Sequence, residues 1–212
     1  MVNSDAIDKL VLKGTTTIGV TCKDGVILAT DTRVSMGFDL AHKHGKKIYK
    51  IDDHLAMTIA GGVADAQRVV DILIANAQLY RINNGRPLPI NSAARFIANI
   101  LFSARYVPLE LEALVGGIDD AGAHVYRLDM LGTLTEEKYV STGSGSPVAF
   151  GVLEDKYHED MSIAELLPAI VKAIDVAMRR NSATGDSFNI AVIDGKGYRE
   201  LSEKEKKKLS AS

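Results

Sequence analysis

The stretch TTTIGVTCKDGVILATD, Thr15 to Asp31, decides the fold. Its apolar residues alternate through TTTIGVTC, and β-branched Thr, Ile and Val suit a strand. Lys23-Asp24-Gly25 supplies a turn, and VILAT then runs back as the second arm of a tight hairpin. The three threonines at its head suit a strand start. They also follow a Lys-Gly pair directly, which raises the question of whether one of them is meant to stay internal.

Working outward, Lys46–Asp52 and His54–Ala60 read as a second hairpin joined at Asp52-Asp53, and Gly61-Gly62 ends it. A helix is predicted from Val63 to Asn83. Its apolar positions (Val69, Val70, Leu73, Ile74, Ala77) are too dense for a helix with one broad wet face, so it packs on a sheet and on something else. Asn84-Gly85-Arg86-Pro87 breaks the chain. Asn91 or Ser92 is the expected cap of a second helix running to about Ala104. Strands are then expected at Leu114–Ile118, His124–Asp129 and Thr133–Thr142. Ser146 and Pro147 start a short helix to about Leu153. Ser162 and Glu165 form a capping box for a long helix to Arg180. Strands follow at Asn189–Asp194 and Lys196–Leu201, then a polar, exposed, helical tail.

Strands and helices therefore come in blocks. That order favours an α+β fold in which two antiparallel sheets face each other with helices on both outer faces. One domain is expected at residues 15–201, with a leader at 1–14 and a polar tail at 202–212.

Composition narrows the function. The chain has 212 residues, 46% of them hydrophobic and 25% charged, with a formal net charge of -2. This is ordinary for a globular protein and gives no electrostatic case for nucleic acid or an anionic membrane. The single cysteine, Cys22, excludes an intrachain disulfide framework and reads as a buried inert thiol. No apolar run reaches the length of about 20 residues that spans a bilayer. The opening MVNSDAIDKLVLKG is not a secretory signal, and a cytoplasmic protein is expected.

Several chemistries are poorly served. His42 and His44 have no third ligand nearby, so a solvated loop pair is expected there rather than a zinc site. STGSGSP, Ser141 to Pro147, lacks the Lys of a phosphate loop and the dinucleotide spacing. No Ser sits in a Gly-x-Ser-x-Gly elbow with a convincing His. What remains is a terminal threonine. Its hydroxyl is a poor nucleophile without a base, and an α-amine of pKa about 7.7–8.0 is well matched to that task. Cleavage between Gly14 and Thr15 would put both in one residue. Such a residue needs a cation, a carboxylate to orient that cation, and a backbone N–H for the oxyanion.

The chain resembles the archaeal-type proteasome β subunits, which are N-terminal-nucleophile threonine peptidases. The resemblance rests on GTTTIGV at Gly14, ILATDTRVSMG at Ile27, KHGKKIYKID at Lys43, MTIAGGVADAQ at Met57, LVGGID at Leu114 and STGSGSP-(x)3-GVLE at Ser141. It covers nearly the whole chain after the leader, and it implies the four-layer αββα sandwich of that family. It implies Thr15 as nucleophile, Lys47 beside its hydroxyl, Asp31 paired with Lys47, and Arg33 bracing the cluster. The Gly61 N–H would stabilise the oxyanion. Ser144, and Gly145 with it, would contact the Thr15 amine or a catalytic water. Val34, Gly45, Tyr49, Ile59, Val63 and Gln67 would line the pocket for the residue before the scissile bond, while Ser35 and Gly61 hold the peptide as an added strand.

One segment departs from the pattern. Arg180-Asn181-Ser182-Ala183-Thr184-Gly185 stands where the family usually has Arg-Asp-Ser-x-Ser-Gly. Thr184 keeps a hydroxyl, but Asn181 lacks the charge of a carboxylate, so leader removal or turnover is expected to be slower. Ile59 and the absence of charge at the pocket positions predict cleavage after apolar residues. The resemblance further implies autocatalytic removal of the leader, no metal or cofactor, seven-membered β rings capped by α rings, and unfolded substrate supplied by regulatory ATPases. The alternative is a non-catalytic or slowly processed subunit that only builds the ring wall. A bacterial relative working in six-membered rings fits the chain length and the KHGKK and STGSGSP segments less well.

Overall fold

The computed structural model describes residues 14–36 and 39–210. The expected leader therefore lies, up to residue 13, outside the described residues. Twelve strands and five helices are described. The first strands are β1 (Thr17–Cys22), β2 (Gly25–Asp31), β3 (Val34–Met36), β4 (Asp39–His42), β5 (Ile48–Asp52) and β6 (Leu55–Gly61). Helices α1 (Val63–Asn84) and α2 (Ile90–Ser103) follow. Then come β7 (Leu111–Asp119), β8 (Gly122–Leu128), β9 (Leu134–Glu136) and β10 (Tyr139–Thr142). The remainder is α3 (Ser146–Lys156), α4 (Ile163–Arg180), β11 (Phe188–Asp194), β12 (Gly197–Glu200) and α5 (Glu203–Ser210).

The strands form two antiparallel five-stranded sheets, ordered β10-β1-β2-β11-β12 and β5-β6-β7-β8-β9, with β3-β4 as a separate ribbon. Alternation builds the layers. In β2, Ile27 and Ala29 face the helices α3 and α4, whereas Val26 and Leu28 face the other sheet. In β6, Leu55, Met57 and Ile59 pack under α1 and α2, and Ala56 faces inward. Both sheets are thus covered on both faces, giving the expected helix–sheet–sheet–helix order.

The local signals held unevenly. The first hairpin turns on Lys23-Asp24, with Cys22 opposite Gly25. Burial pushes the Cys22 thiol up to about 12, as expected of an inert buried cysteine. The Ser162–Glu165 capping box forms at the start of α4. The cap of α2 is not Asn91 or Ser92 but Pro89, whose ring has no acceptor to offer. Asp119, at the far end of β7, instead accepts the Ile90 N–H at 2.9 Å, so a distant hairpin satisfies the helix start. Likewise α3 begins at Ser146 itself, behind Gly145. The single strand expected at Thr133–Thr142 is two strands. β9 closes one sheet and β10 crosses to pair with β1 in the other. A uniformly β-prone stretch hides that crossover. The ribbon β3-β4 was not expected, because β4 is exposed throughout and carries no alternation. The tail helix α5 is not wholly exposed: Lys206 is buried and donates to the Phe188 carbonyl at 2.7 Å.

Candidate active site

Three loops and one strand end converge beneath Thr15. Asp31 closes β2, Lys47 precedes β5, residues 143–145 join β10 to α3, and residues 181–187 join α4 to β11. The chain enters β1 among them through Gly14, Thr15 and Thr16.

Asp31 is 0% exposed and fully engaged. Its Oδ1 accepts the Thr16 N–H at 2.9 Å and Lys47 Nζ at 2.8 Å. Its Oδ2 accepts the N–H groups of Arg33 and Gly185, each at 3.1 Å. A buried carboxylate needs such donors, and these hold it rigidly. Lys47 is 5% exposed and points all three of its donors inward. Besides Asp31, its Nζ reaches Thr15 Oγ1 at 3.0 Å and the Gly14 carbonyl at 3.4 Å. Burial lowers the Lys47 pKa, against the pull of Asp31, and the Arg33 charge lowers it further. A lysine held this way is a more available base than a lysine in water. The Arg33 backbone N–H meets Asp31, while its side chain turns to the neighbouring loop, binding Asp186 at 2.9 Å and the Ser182 carbonyl at 2.6 Å.

The three threonines are all buried, and each hydroxyl has a different use. The Thr15 hydroxyl donates to the carbonyl of Gly14. Thr16 and Thr17 do more than start a strand: their hydroxyls pair with those of Thr184 at 2.9 Å and Thr142 at 2.6 Å. The chain is pinned on both sides while the Thr15 hydroxyl faces the Gly14–Thr15 bond. Gly14 is required for space. A Cβ there would lie 2.3 Å from the Ala183 carbonyl oxygen and 2.5 Å from Ser35 Oγ. Gly143 is required for both reasons, with φ at +85° and the Thr15 carbonyl oxygen 2.2 Å from any added Cβ.

On the other side of Thr15, Gly145 N–H points to the Thr15 carbonyl at 3.4 Å. Ser144 Oγ donates to Asn181 Oδ1 and Asn181 Nδ2 donates back to the Ser144 carbonyl, both at 3.0 Å. Thr184 Oγ1 and the Ala183 N–H also donate to Asn181 Oδ1, at 3.1 Å each. The Asn181 amide is therefore a hub that ties residues 143–145 to residues 181–184.

Thr15 opens into a cavity of about 360 Å³. All the expected pocket residues line it: Val34, Ser35, Gly45, Tyr49, Ile59, Gly61, Val63 and Gln67. Burial pushes the Tyr49 phenol up, and Gln67 hydrogen-bonds it. Sequence reasoning missed three further wall residues, Lys46, His42 and His44. The two histidines are exposed, as a solvated pair would be, but they stand on its wall with their rings edge to face at 6.2 Å. Lys46 Nζ sits 5.3 Å from the Tyr49 ring centroid. His44 and Lys46 lie in KHGKK and His42 ends β4, but nothing in the sequence pattern aims them at the cavity. Gly61 also borders a second cavity of about 350 Å³ beyond Thr15, lined by Glu112, Arg127 and Ser144.

Comparison with known proteins gives one consistent answer. A family model described as proteasome subunit matches residues 11–193. The chain is 49% identical over 199 residues to a proteasome subunit beta of Methanothermobacter thermautotrophicus, covering 93% of this chain and 95% of that one. It is 44% identical over 204 residues to proteasome subunit beta 2 of Nitrosopumilus maritimus, covering 96% and 97%. It is 48% identical over 200 residues to a proteasome subunit beta of Methanocaldococcus vulcanius, covering 93% and 90%. With a four-layer fold and a buried Thr–Lys–Asp cluster at its centre, the chain belongs to the proteasome subunit family.

Proposed function

We propose that this chain is a threonine-type endopeptidase of a proteasome core particle, with Thr15 Oγ1 as nucleophile after cleavage of the Gly14–Thr15 bond. The observation that carries the reading is the position of the Thr15 hydroxyl, 3.0 Å from Lys47 Nζ and hydrogen-bonded to the Gly14 carbonyl.

Before cleavage the nitrogen of Thr15 is a peptide nitrogen and is no base. Lys47 is the amine within reach, and its lowered pKa favours the neutral form that accepts the hydroxyl proton. Thr15 Oγ1 then attacks the Gly14 carbonyl carbon. The C–N bond breaks, the departing nitrogen takes the proton back, and an ester links Gly14 to Thr15. Water hydrolyses the ester, releasing residues 1–14 with a free carboxylate. Ser144 lines the cavity beside Thr15 from which that water would come. After cleavage the new α-amine takes over as base. The hydroxyl attacks a substrate carbonyl, the amine passes the proton to the leaving nitrogen, and water releases the acyl group. The Gly61 N–H is the proposed oxyanion donor, and Ser35 and Gly61 hold the peptide as an added strand.

The pH dependence of the first stage follows. Neutral Lys47 becomes commoner as pH rises toward its lowered pKa, so leader removal accelerates from pH 6 to pH 9. Following precursor disappearance by mass spectrometry checks this; a rate that falls over that interval contradicts it.

The pocket walls set the preference. Val34, Ile59 and Val63 offer apolar surface, and among the described residues no carboxylate lines the cavity. The wall cations Lys46 and Arg33 repel a basic side chain. Peptides with Leu before the scissile bond are therefore cleaved at least about tenfold faster than those with Arg, the sort of discrimination one buried unpaired group produces. Fluorogenic peptides carrying Leu, Arg and Asp at that position test the reading, and preference for Arg contradicts it.

Assembly into β rings stacked between α rings, in the cytoplasm, completes the proposal, with regulatory ATPases acting indirectly. Exposed apolar residues support burial against neighbouring subunits. Leu79 and Ile82 on α1 are 56% and 79% exposed, and Phe102 on α2 is 54% exposed. Among the described residues no helix is long and apolar enough to cross a membrane.

A further inference from the structure

We infer that the second cavity beside Thr15 holds the leaving half of the substrate, and that Glu112 and Arg127 select that half by charge: a basic side chain directly after the scissile bond and an acidic one two residues later. The inference rests on the reading of Thr15 as a terminal nucleophile.

Two cavities meet at Thr15, and Gly61 borders both. The end of β6 divides them. Ile59, on the helix-facing side of that strand, lines the first cavity. Ala60, the next residue and so on the opposite face, lines the second. Gly14, the residue before the bond that is cut, lines the first cavity and not the second. The acyl half of a substrate therefore takes the first. The amine half leaves by another path, and the water that releases the acyl group retraces it, because it replaces the amine at the same carbon. The second cavity, about 350 Å³, is the space on that side of Thr15.

Its walls carry two charges with no partner in the chain. Leu114 of β7 and Val125 of β8 belong to the apolar layer between the sheets. Glu112 and Arg127 continue those two rows at the Thr15 end, where apolar side chains would have sealed the layer. Among the described residues neither side chain makes an ion pair or a hydrogen bond, and Asp129 feels the Arg127 charge without contact. The hydroxyls of the same walls are committed elsewhere. Ser141 donates to the Thr17 carbonyl at 2.6 Å, Thr142 pairs with the Thr17 hydroxyl at 2.6 Å, and Ser144 donates to Asn181 at 3.0 Å. Charge is thus what the cavity offers a peptide, above an apolar floor of Ala60 and Phe150.

Position assigns the two charges. Glu112 stands opposite Ala60, one residue before Gly61, and so lies nearer the reaction. Arg127 faces Leu114 and is therefore diagonal to Glu112, a separation of about 7–8 Å between α-carbons in such a pair. Alternate side chains of an extended peptide are about 7 Å apart, so one peptide face can meet both.

The test uses the assembled particle and two internally quenched peptides, identical through the Leu before the scissile bond. One continues Lys-Ala-Glu and the other Glu-Ala-Lys, so net charge is equal and only its order differs. Mass spectrometry of the products fixes the cut after Leu. In the wild type, kcat/KM for Lys-Ala-Glu is higher by about fivefold, the scale of partly screened ion pairs, and Glu112→Gln cuts that ratio to about twofold. The charge swap Glu112→Arg with Arg127→Glu inverts it. Each value is a ratio on one particle, so a general loss of activity cancels. Should the swapped chain fail to assemble, the wild-type and Glu112→Gln ratios decide. Equal cleavage of the two peptides by wild type, or a ratio that the variants leave in place, overturns this inference alone. An intact leader with neither peptide cut overturns both the inference and the reading beneath it.

Discussion

Thr15→Ala stops both leader removal and peptide hydrolysis, lowering each rate at least about a thousandfold, as expected when the only nucleophile is removed. The fold survives the change. Thr16 and Thr17 carry the hydroxyl pairs that pin the strand start, at 2.9 and 2.6 Å, and neither is touched. The hydrogen bonds lost are the one to the adjacent Gly14 carbonyl and the one accepted from Lys47, whose ammonium keeps Asp31, so assembly is expected to be normal. Thr15→Ser separates hydroxyl from shape: it keeps the nucleophile, loses the methyl that restricts χ1, and retains activity at a reduced rate. Mass spectrometry of the chain and a fluorogenic peptide assay on the assembled particle check both variants. Leader removal at the same bond in Thr15→Ala would mean another group cuts it.

Lys47→Ala has the second largest effect and a different signature. It removes the base proposed for the first stage, slowing leader removal by at least about a hundredfold. It also strands Asp31, which is 0% exposed and keeps only its three backbone donors. Leaving a buried charge without its partner costs about 3 kcal/mol, so the precursor also melts at a lower temperature. Lys47→Ala with Asp31→Asn removes both charges and recovers most of that stability but none of the activity. A calorimetric melt separates the two consequences. Recovery of leader removal in the double variant would show that Lys47 acts through folding alone.

Much of this site was legible in the sequence, for reasons that are physical. Thr15, Asp31 and Lys47 were implied as a cluster by the resemblance, and the two hairpin signals place each of them at or beside a strand end. The sandwich was legible because strands and helices come in blocks and the first helix is too densely apolar for one broad wet face. What was hidden depends on contacts distant in sequence. The cap of α2 comes from Asp119 on another hairpin. The break between β9 and β10 follows from pairing with two different sheets. His42, His44 and Lys46 stand on the pocket wall, and nothing in the sequence pattern aims them there. Asn181 was legible as a lost charge, whereas the bond it donates to the Ser144 carbonyl appears only in the folded chain.

The central claim is that the Gly14–Thr15 bond is cut by Thr15 itself. The direct measurement is the N-terminal residue of this chain in the assembled particle. The account predicts Thr15 at the terminus with residues 1–14 gone, and an intact Met1–Gly14 segment in a fully assembled particle would contradict it.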